Sequence, residues 1–135
     1  GAALVDHVHV PHDTSAVAQA IGAAQATSDM ILILTASATS DPLDTAPQAV
    51  RAAGGHVTHF GMPVDPGNLL FFGQIGAHPV IGLPGCARAP ALNGADWVLE
   101  RLICGVPVTS ADIMSMGVGG LLKEIPSRPR PRDAS

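Results

Sequence analysis

Hydrophobic and polar positions in the first half of the chain follow strand and helix periods in turn. Residues 4–10 alternate apolar with polar side chains, and this pattern predicts a strand. Apolar side chains then recur at helical spacing and predict a helix that runs to about Thr27. Asp13 or Thr14 can cap its N-terminus. The unbroken apolar run 30–34 follows this helix and predicts a buried parallel strand.

The second half of the chain continues the alternation. A helix is predicted from Thr45 to about Ala53, where the pair Gly54-Gly55 terminates it. The later predicted elements are strands at 56–62, 69–72 and 79–83, with a turn at 73–76, then a helix at 92–103 and short helical pieces at 110–116 and 119–123. Strands and helices in this order predict an α/β fold, with three α/β/α layers and a mostly parallel sheet.

Three loops follow the predicted strands at their carboxyl ends, where α/β sheets bind ligands. The first loop, residues 35–44, carries four hydroxyl groups and two carboxylates. Its hydroxyl groups can donate to phosphate or pterin atoms, and Asp41 and Asp44 can hold Mg²⁺ or a ligand amide. The alternative is that a carboxylate simply caps the next helix while the hydroxyl groups fill a turn.

The second and third loops are rich in proline and glycine. The second loop, residues 63–68, contains Pro66-Gly67, which is typical of a tight hairpin turn. The third loop, residues 82–90, leaves a strand and enters a helix, so its glycine N–H groups and Arg88 can bind an anion at a helix N-terminus. Cys86 has no identifiable catalytic partner, and we interpret it as a small buried cysteine.

Composition and charge narrow the function classes. The chain has 135 residues, of which 47% are hydrophobic and 13% charged, so it can bury a core. No apolar stretch reaches the roughly 18–20 residues of a membrane span, and two cysteines fit a reduced cytoplasmic protein. Residues 1–127 hold four basic and ten acidic side chains, a net charge of −6, and this balance disfavours nucleic-acid binding.

The six histidines offer a metal-binding alternative. His7 and His9 share one face of the predicted first strand, and His12 follows in a loop. We expect His56 and His59, three residues apart, on opposite faces of their strand. Surface or interface histidines therefore rank above a histidine-bound metal module.

Three segments, in their order along the chain, carry a family resemblance. The first loop, with Ser37, Asp41 and Asp44, is followed by "DPGNLLFFG" and then by "GLPGCARAP". They resemble the Ser-Gly-Gly-type loop, the "KPGKP…FG" segment and the "GLPGNP" segment of the molybdopterin-binding domain in molybdenum-cofactor biosynthesis proteins of the MoeA/MogA type. Longer stretches, such as "LPGCARAPALNGADWVLERL", resemble bacterial molybdopterin-binding proteins in which a MobA-like cytidylyltransferase domain follows this region.

The resemblance implies a molybdopterin-binding-domain fold over residues 1–125, without the family's first strand and helix. Residues 126–135, where proline alternates with arginine, would then be a linker to the cytidylyltransferase domain. The implied cofactor is molybdopterin or the molybdenum cofactor, with Mg²⁺ as a further candidate. The residues implied to bind it are Thr35, Ser37, Ser40, Asp41, Asp44, Pro66, Gly67, Asn68, Gly82, Pro84, Gly85, Cys86 and Arg88.

The chain departs from the family at positions that bear on catalysis. Asp65 and Asn68 replace the two lysines of "KPGKP", Cys86 replaces the asparagine of "GLPGNP", and Ser37-Ala38 or Ala36-Ser37 replaces the glycine pair. Molybdate insertion must gather two anions, and without the lysines the site is poorly suited to it. We therefore expect the domain to bind the pterin and present it to a fused or partner cytidylyltransferase, with no catalysis of its own.

A function of a different class is a non-catalytic module for oligomerisation or scaffolding. Met114, Met116 and Val118 lie near a glycine pair and suit packing either against a partner or in the core. This hypothesis predicts a homo-oligomer that depends on residues 106–125.

Overall fold

The computed structural model describes residues 1–117, which form a mixed α/β domain. Its helices are α1 (Thr14–Gln25), α2 (Thr45–Ala52), α3 (Gly94–Ile103) and α4 (Ser110–Ser115), and its strands are β1 (Ile31–Ile33), β2 (His56–Phe60), β3 (Phe71–Ile75) and β4 (His78–Gly82). A short 3₁₀ helix covers Gly85–Arg88. The helical piece predicted at 119–123, the linker 126–135 and Val118 lie outside the described residues. No helix within residues 1–117 is long and apolar enough to cross a membrane.

Helix α1 begins where the sequence predicts because its cap is local. The Asp13 side chain accepts a hydrogen bond from the Ala16 amide at 3.0 Å and fixes the start of α1.

The strand prediction at 69–72 is displaced, since β3 continues through Gly73 to Ile75. A Cβ on Gly73 would lie 2.3 Å from the His56 carbonyl oxygen, so this glycine permits close approach of two strands.

The strand order in the sheet is β1-β4-β3-β2. β1 pairs with β4 in parallel, whereas β3 is antiparallel to both β4 and β2. The prediction of a mostly parallel sheet is therefore wrong. Gly76 and Ala77 alone join β3 to β4, and a parallel pair needs a crossover of about a dozen residues or more. Strands β1, β2 and β4 nevertheless run in one direction, with β3 reversed.

The sheet separates two apolar clusters. Phe71, Ile75 and Val80 face α1 and α2 and pack with Val17, Ile21, Ala46, Ala49 and Val50. Phe72 and Ile81 point to the opposite face and pack with Ala95, Val98, Val108, Ile113 and Met116, which lie in or beside α3 and α4. Helices thus cover both faces. Val108, Ile113 and Met116 belong to the core, while Met114 is 59% exposed.

Residues 4–10 form no strand, contrary to the sequence prediction. They are exposed throughout, and Leu4 and Val5 retain 82% and 65% of their accessible surface. A strand is stabilised by hydrogen bonds to a neighbour, and this segment pairs with none of the four strands. An alternating pattern is therefore insufficient where no neighbouring strand supplies the bonds.

A β-bulge changes the expected direction of the histidines on β2. His56 pairs with Gln74 and His59 pairs with Phe72, with the register shift between Val57 and His59. Gln74 and Phe72 share one face of β3, so His56 and His59 lie on the same face of β2, not on opposite faces. His59 Nδ1 lies 2.5 Å from Ser110 Oγ, and this contact joins the sheet to the start of α4.

Candidate functional site

The predicted ligand-binding loops lie at one end of the sheet. β1, β2 and β4 run in the same direction, so the first, second and third loops all follow carboxyl ends at that end. The Leu83 amide donates to the Ile33 carbonyl at 2.8 Å and extends the β1–β4 pairing to the beginning of the loops. The three loops thus lie at the same end of the sheet, as expected for a parallel sheet, although the sheet is mixed.

The acidic side chains of the first loop are used within the loop. Asp44 Oδ2 accepts from the Ser40 amide at 2.8 Å and from the Asp41 amide at 3.0 Å. Asp41 Oδ1 accepts from the Leu43 amide at 2.7 Å. Asp44 occupies the N-cap position of α2, but its side chain makes no capping hydrogen bond to the helix. Each carboxylate therefore stabilises the turn through one of its oxygens, and only the other oxygen of each is available to a ligand or to Mg²⁺.

A small polar pocket lies where the first loop enters α2. Its volume is about 150 Å³, and its lining residues are His12, Ser37, Ala38, Thr39, Ser40, Asp44, Thr45 and Ala46. Ser37, Ser40 and Asp44 are predicted site residues that the structure brings together here. The pocket is smaller than the roughly 300 Å³ or more of a drug-sized site, so it fits one end of a larger ligand.

His12, Thr39 and Thr45 line this pocket but are absent from the sequence-predicted site. His12 belongs to the segment before α1 and was expected only as a metal-site alternative. No pattern in the sequence connects it with residue 40, since the packing of α1 against α2 brings them together. Thr39 and Thr45 stood in or beside the predicted loop and could have been included on their hydroxyl groups.

The first turn of α2 lines this pocket through Thr45 and Ala46. No side chain caps the helix, and Pro47 at its third position has no N–H group. The amides of Thr45 and Ala46 are therefore left without a capping acceptor at the positive end of the helix dipole. A ligand acceptor atom can be bound there.

Arg88 joins the third loop to the first. Its Nη2 donates to the Thr35 carbonyl oxygen, across 53 positions of sequence. The Thr35 hydroxyl donates to the Ser37 carbonyl and lies 3.3 Å from Thr39 Oγ1. Thr35 and Arg88 thus lie beside the pocket, and Arg88 is the cation that the third loop brings to this end of the sheet.

The anion site predicted at the N-terminus of the third helix is not formed. Residues 85–88 make a separate 3₁₀ helix, and α3 begins later, at Gly94. Asn93 Oδ1 accepts from the Ala95 amide, while Asp96 Oδ2 accepts from the Asn93 amide, in a complete capping box. The first amides of α3 are therefore already bonded within the protein.

The remaining predicted residues surround Asn93, which is 2% exposed. The Gly94 amide donates to the Pro66 carbonyl at 2.8 Å, and a Cβ on Gly67 would lie 2.8 Å from the Gly94 nitrogen. Asn93 Nδ2 donates to Cys86 Sγ at 3.1 Å. Cys86 is exposed, so the prediction that it is buried is wrong. Pro66, Gly67 and Cys86 thus hold the start of α3 in place.

Gly82, Pro84 and Asn68 also have structural surroundings. A Cβ on Gly82 would overlap the Phe71 ring, and Pro84 is buried. Asn68 is exposed, and its backbone carbonyl oxygen accepts a hydrogen bond from the Met62 amide at 3.0 Å within the second loop. By contrast, a Cβ on Gly85 would contact only Arg88 Nη1, at 3.8 Å, so Gly85 borders open space.

The histidines do not assemble a metal centre in the described chain. The His7 and His9 rings pack edge to face with centroids 4.6 Å apart. Within residues 1–117 no group of three or more His, Cys, Asp or Glu side chains is placed to hold a metal ion.

Comparisons with known proteins identify no family for this chain. No protein-family model matches the chain, and neither a curated protein nor a solved structure matches it. The assignment of a ligand therefore depends on the motifs and on the geometry of the three loops.

Proposed function

We propose that this domain binds molybdopterin or the molybdenum cofactor at the carboxyl end of the sheet. The observation that carries the proposal is the polar pocket of Ser37, Ser40 and Asp44, with Arg88 bonded to its edge. These four residues come from two loops about fifty positions apart. Ser37 and Asp44 occupy positions that match the family's motifs, and those motifs are independent of the contacts seen here.

In this proposal the pocket receives the polar edge of the pterin. Asp44 Oδ1 accepts from ring N–H groups, because only Oδ2 is used by the Ser40 and Asp41 amides. The hydroxyl groups of Ser37 and Ser40 donate to or accept from ring heteroatoms. Mg²⁺, if bound, would use the oxygens of Asp41 and Asp44 that the loop leaves free.

The phosphate of the ligand would lie at Gly85 and Arg88. Gly85 borders open space and offers its backbone, and the Arg88 guanidinium provides a charge-assisted donor. One arginine suits one phosphate, whereas molybdate would add a second anion in a domain whose residues 1–127 have a net charge of −6. We therefore propose binding and presentation, with no reaction catalysed by this domain alone.

The partner in this proposal is a cytidylyltransferase, fused to or associated with the domain, which receives the presented cofactor. The three-layer molybdopterin-binding-type fold is part of the same proposal. It is supported by helices on both faces of the sheet and by three strands running in one direction. A cytoplasmic location follows from that role.

Titration of the purified chain with molybdopterin, followed by pterin fluorescence and calorimetry, tests the proposal. Gly85→Asp places a negative charge at the proposed phosphate position and should weaken binding by at least about tenfold. Gly85→Ala is the matched control, because the extra methyl group meets open space. No binding by the folded wild-type chain, or equal binding by Gly85→Asp, would reject the proposal.

A further inference from the structure

The polar pocket of the first loop has free hydrogen-bond donors on one side. Thr45 and Ala46 line the pocket at the start of α2, and neither of their amides is hydrogen-bonded within residues 1–117. The first amides of a helix have no partner within the helix and lie at the positive end of its dipole. This side of the pocket therefore suits a carbonyl oxygen of a ligand.

Free acceptors lie beside these donors. Asp44 Oδ2 accepts from two amides of its own loop, while Oδ1 has no donor within residues 1–117. Thr39 lines the same pocket and is only 7% exposed. The Thr35 hydroxyl donates to the Ser37 carbonyl, so the proton in its 3.3 Å contact with Thr39 Oγ1 comes from Thr39. Thr39 Oγ1 is thus a buried acceptor without a donor.

This arrangement is complementary to one particular ring edge. A 2-amino-4-oxopyrimidine ring presents a carbonyl oxygen, a ring N–H and an amino group side by side. Pterins carry this edge, and guanine carries the same edge with the same order of acceptor and donors. A pocket of about 150 Å³ holds the edge of one ring and leaves the rest of the ligand outside. Its contacts therefore suit guanine as well as a pterin.

We propose that the domain binds guanine nucleotides in this pocket, in competition with the pterin. The guanine carbonyl accepts from the first amides of α2, and the ring N–H and 2-amino group donate to Asp44 and Thr39. The inference rests on the proposed function for the position of the ring, and it adds a second class of ligand. Adenine presents an amino group where guanine has the carbonyl, and an acceptor where guanine has the ring N–H, so the pocket should reject it.

A nucleotide with one phosphate suits the charge near the pocket. Arg88 donates to the Thr35 carbonyl, and the Thr35 hydroxyl lies 3.3 Å from Thr39 in the pocket. One guanidinium provides charge-assisted donors for one phosphate, and the formal net charge of −4 disfavours further anionic groups. Guanosine monophosphate (GMP) is therefore the probe.

Calorimetric titration of the full chain with GMP, inosine monophosphate (IMP) and adenosine monophosphate (AMP) tests the inference. The three nucleotides share ribose and phosphate, so differences in affinity come from the base. IMP lacks only the 2-amino group and should bind at least about tenfold more weakly than GMP, and AMP more weakly still. No binding of GMP up to about 1 mM, or IMP or AMP binding as tightly as GMP, would overturn the inference.

Asp44→Asn is the decisive variant, because the asparagine oxygen can keep the two loop bonds while its NH₂ group replaces the free acceptor. GMP affinity should fall at least about tenfold, and the preference for GMP over IMP should disappear. Thr39→Val removes the other acceptor with a side chain of similar shape. It gives an independent measurement should Asp44→Asn fail to fold, as judged by circular dichroism.

Asp29→Asn is the matched control. It removes the same charge from an exposed residue before β1, at the opposite end of the sheet, and should bind GMP like the wild type. If folded Asp44→Asn and Thr39→Val keep the wild-type preference for GMP over IMP, or if Asp29→Asn loses it, the assignment of the pocket is wrong.

Molybdopterin titration separates this inference from the proposed function. If both hold, GMP displaces bound molybdopterin, and the pterin fluorescence changes accordingly. If molybdopterin binds but GMP does not displace it, the inference is wrong and the proposed function stands. If GMP binds with the expected base preference and molybdopterin does not bind, the proposed function is wrong and the pocket is a guanine site.

Discussion

The end of the sheet that carries the loops has two halves with opposite properties. In the first half, the first loop is largely exposed, its carboxylates bond to its own backbone, and a pocket of about 150 Å³ opens at α2. In the second half, the second loop and the start of α3 pack around buried Asn93, whose backbone and side chain are hydrogen-bonded, as is the Gly94 amide. α2 is left uncapped, whereas α3 has a complete capping box.

This difference separates two kinds of motif residue. Gly67 and Gly82 match the family's motifs because a side chain would collide with neighbouring groups. Ser37 and Gly85 match the motifs at places that border accessible space. Motif positions are thus closely packed in some places and border open space in others, and substitutions can tell the two apart.

The largest expected effect is that of Gly67→Ala in the closed half. Gly67 has φ +130°, and its new Cβ would lie 2.8 Å from the Gly94 nitrogen. Strain and overlap together should lower the free energy of unfolding by about 2–4 kcal/mol. Urea denaturation measures this, with Gly85→Ala as the control, because Gly85 borders open space and its substitution should change stability by less than about 0.5 kcal/mol. Equal stability of the two variants would contradict the division into halves.

Asn93→Ala should follow, with a loss of about 2 kcal/mol. The variant removes the cap of α3 and leaves the amide of buried Ala95 without its acceptor. Asn93→Ser keeps a capping oxygen and should recover about half of the loss. Thermal unfolding of both variants measures the difference, and an Asn93→Ala chain as stable as the wild type would show that the capping box is dispensable.

Asp44→Ala should have a smaller effect, about 1 kcal/mol or less, because it frees two amides that solvent can reach. Helix α2 should persist, since the Asp44 side chain does not cap it. Hydrogen exchange should accelerate at the Ser40 and Asp41 amides and remain unchanged within α2. Faster exchange throughout α2 would instead indicate that Asp44 stabilises the helix.

Arg88→Gln should have the smallest effect on stability, within about 0.5 kcal/mol, because Arg88 is exposed. Its expected consequence is functional, since the variant removes the charge proposed to bind the phosphate. Molybdopterin titration should show weaker binding at unchanged stability. A loss of stability without weaker binding would assign Arg88 to holding the two loops together.

Local patterns predict the helices well and the strands less well. Asp13 and the Gly54-Gly55 pair fix the ends of α1 and α2 through contacts within a few residues. The prediction for β3 ended too early because Gly73 and Gln74 were interpreted as the beginning of a turn, whereas they continue the strand. Residues 4–10 have a strand pattern, but a strand also needs a partner, which no periodicity within the segment reveals.

The candidate site was predictable only in part, for the same reason. The residues of the first loop were identified from their chemistry, and three of them line the pocket. His12 was missed because its proximity to the loop depends on how α1 packs. The roles of Gly67 and Cys86 also depend on Asn93, whose side chain contacts residues outside its own turn.

The sequence by itself determined the α/β class, the helix boundaries, the acidic balance and the motif order, because these depend on composition and on neighbours within a few positions. Tertiary structure decided the direction of β3, the common face of His56 and His59 and the closure of the α3 N-terminus. These depend on which strand lies beside which. Strand pairing joins residues far apart in the chain, and its hydrogen bonds come from the backbone that every residue shares.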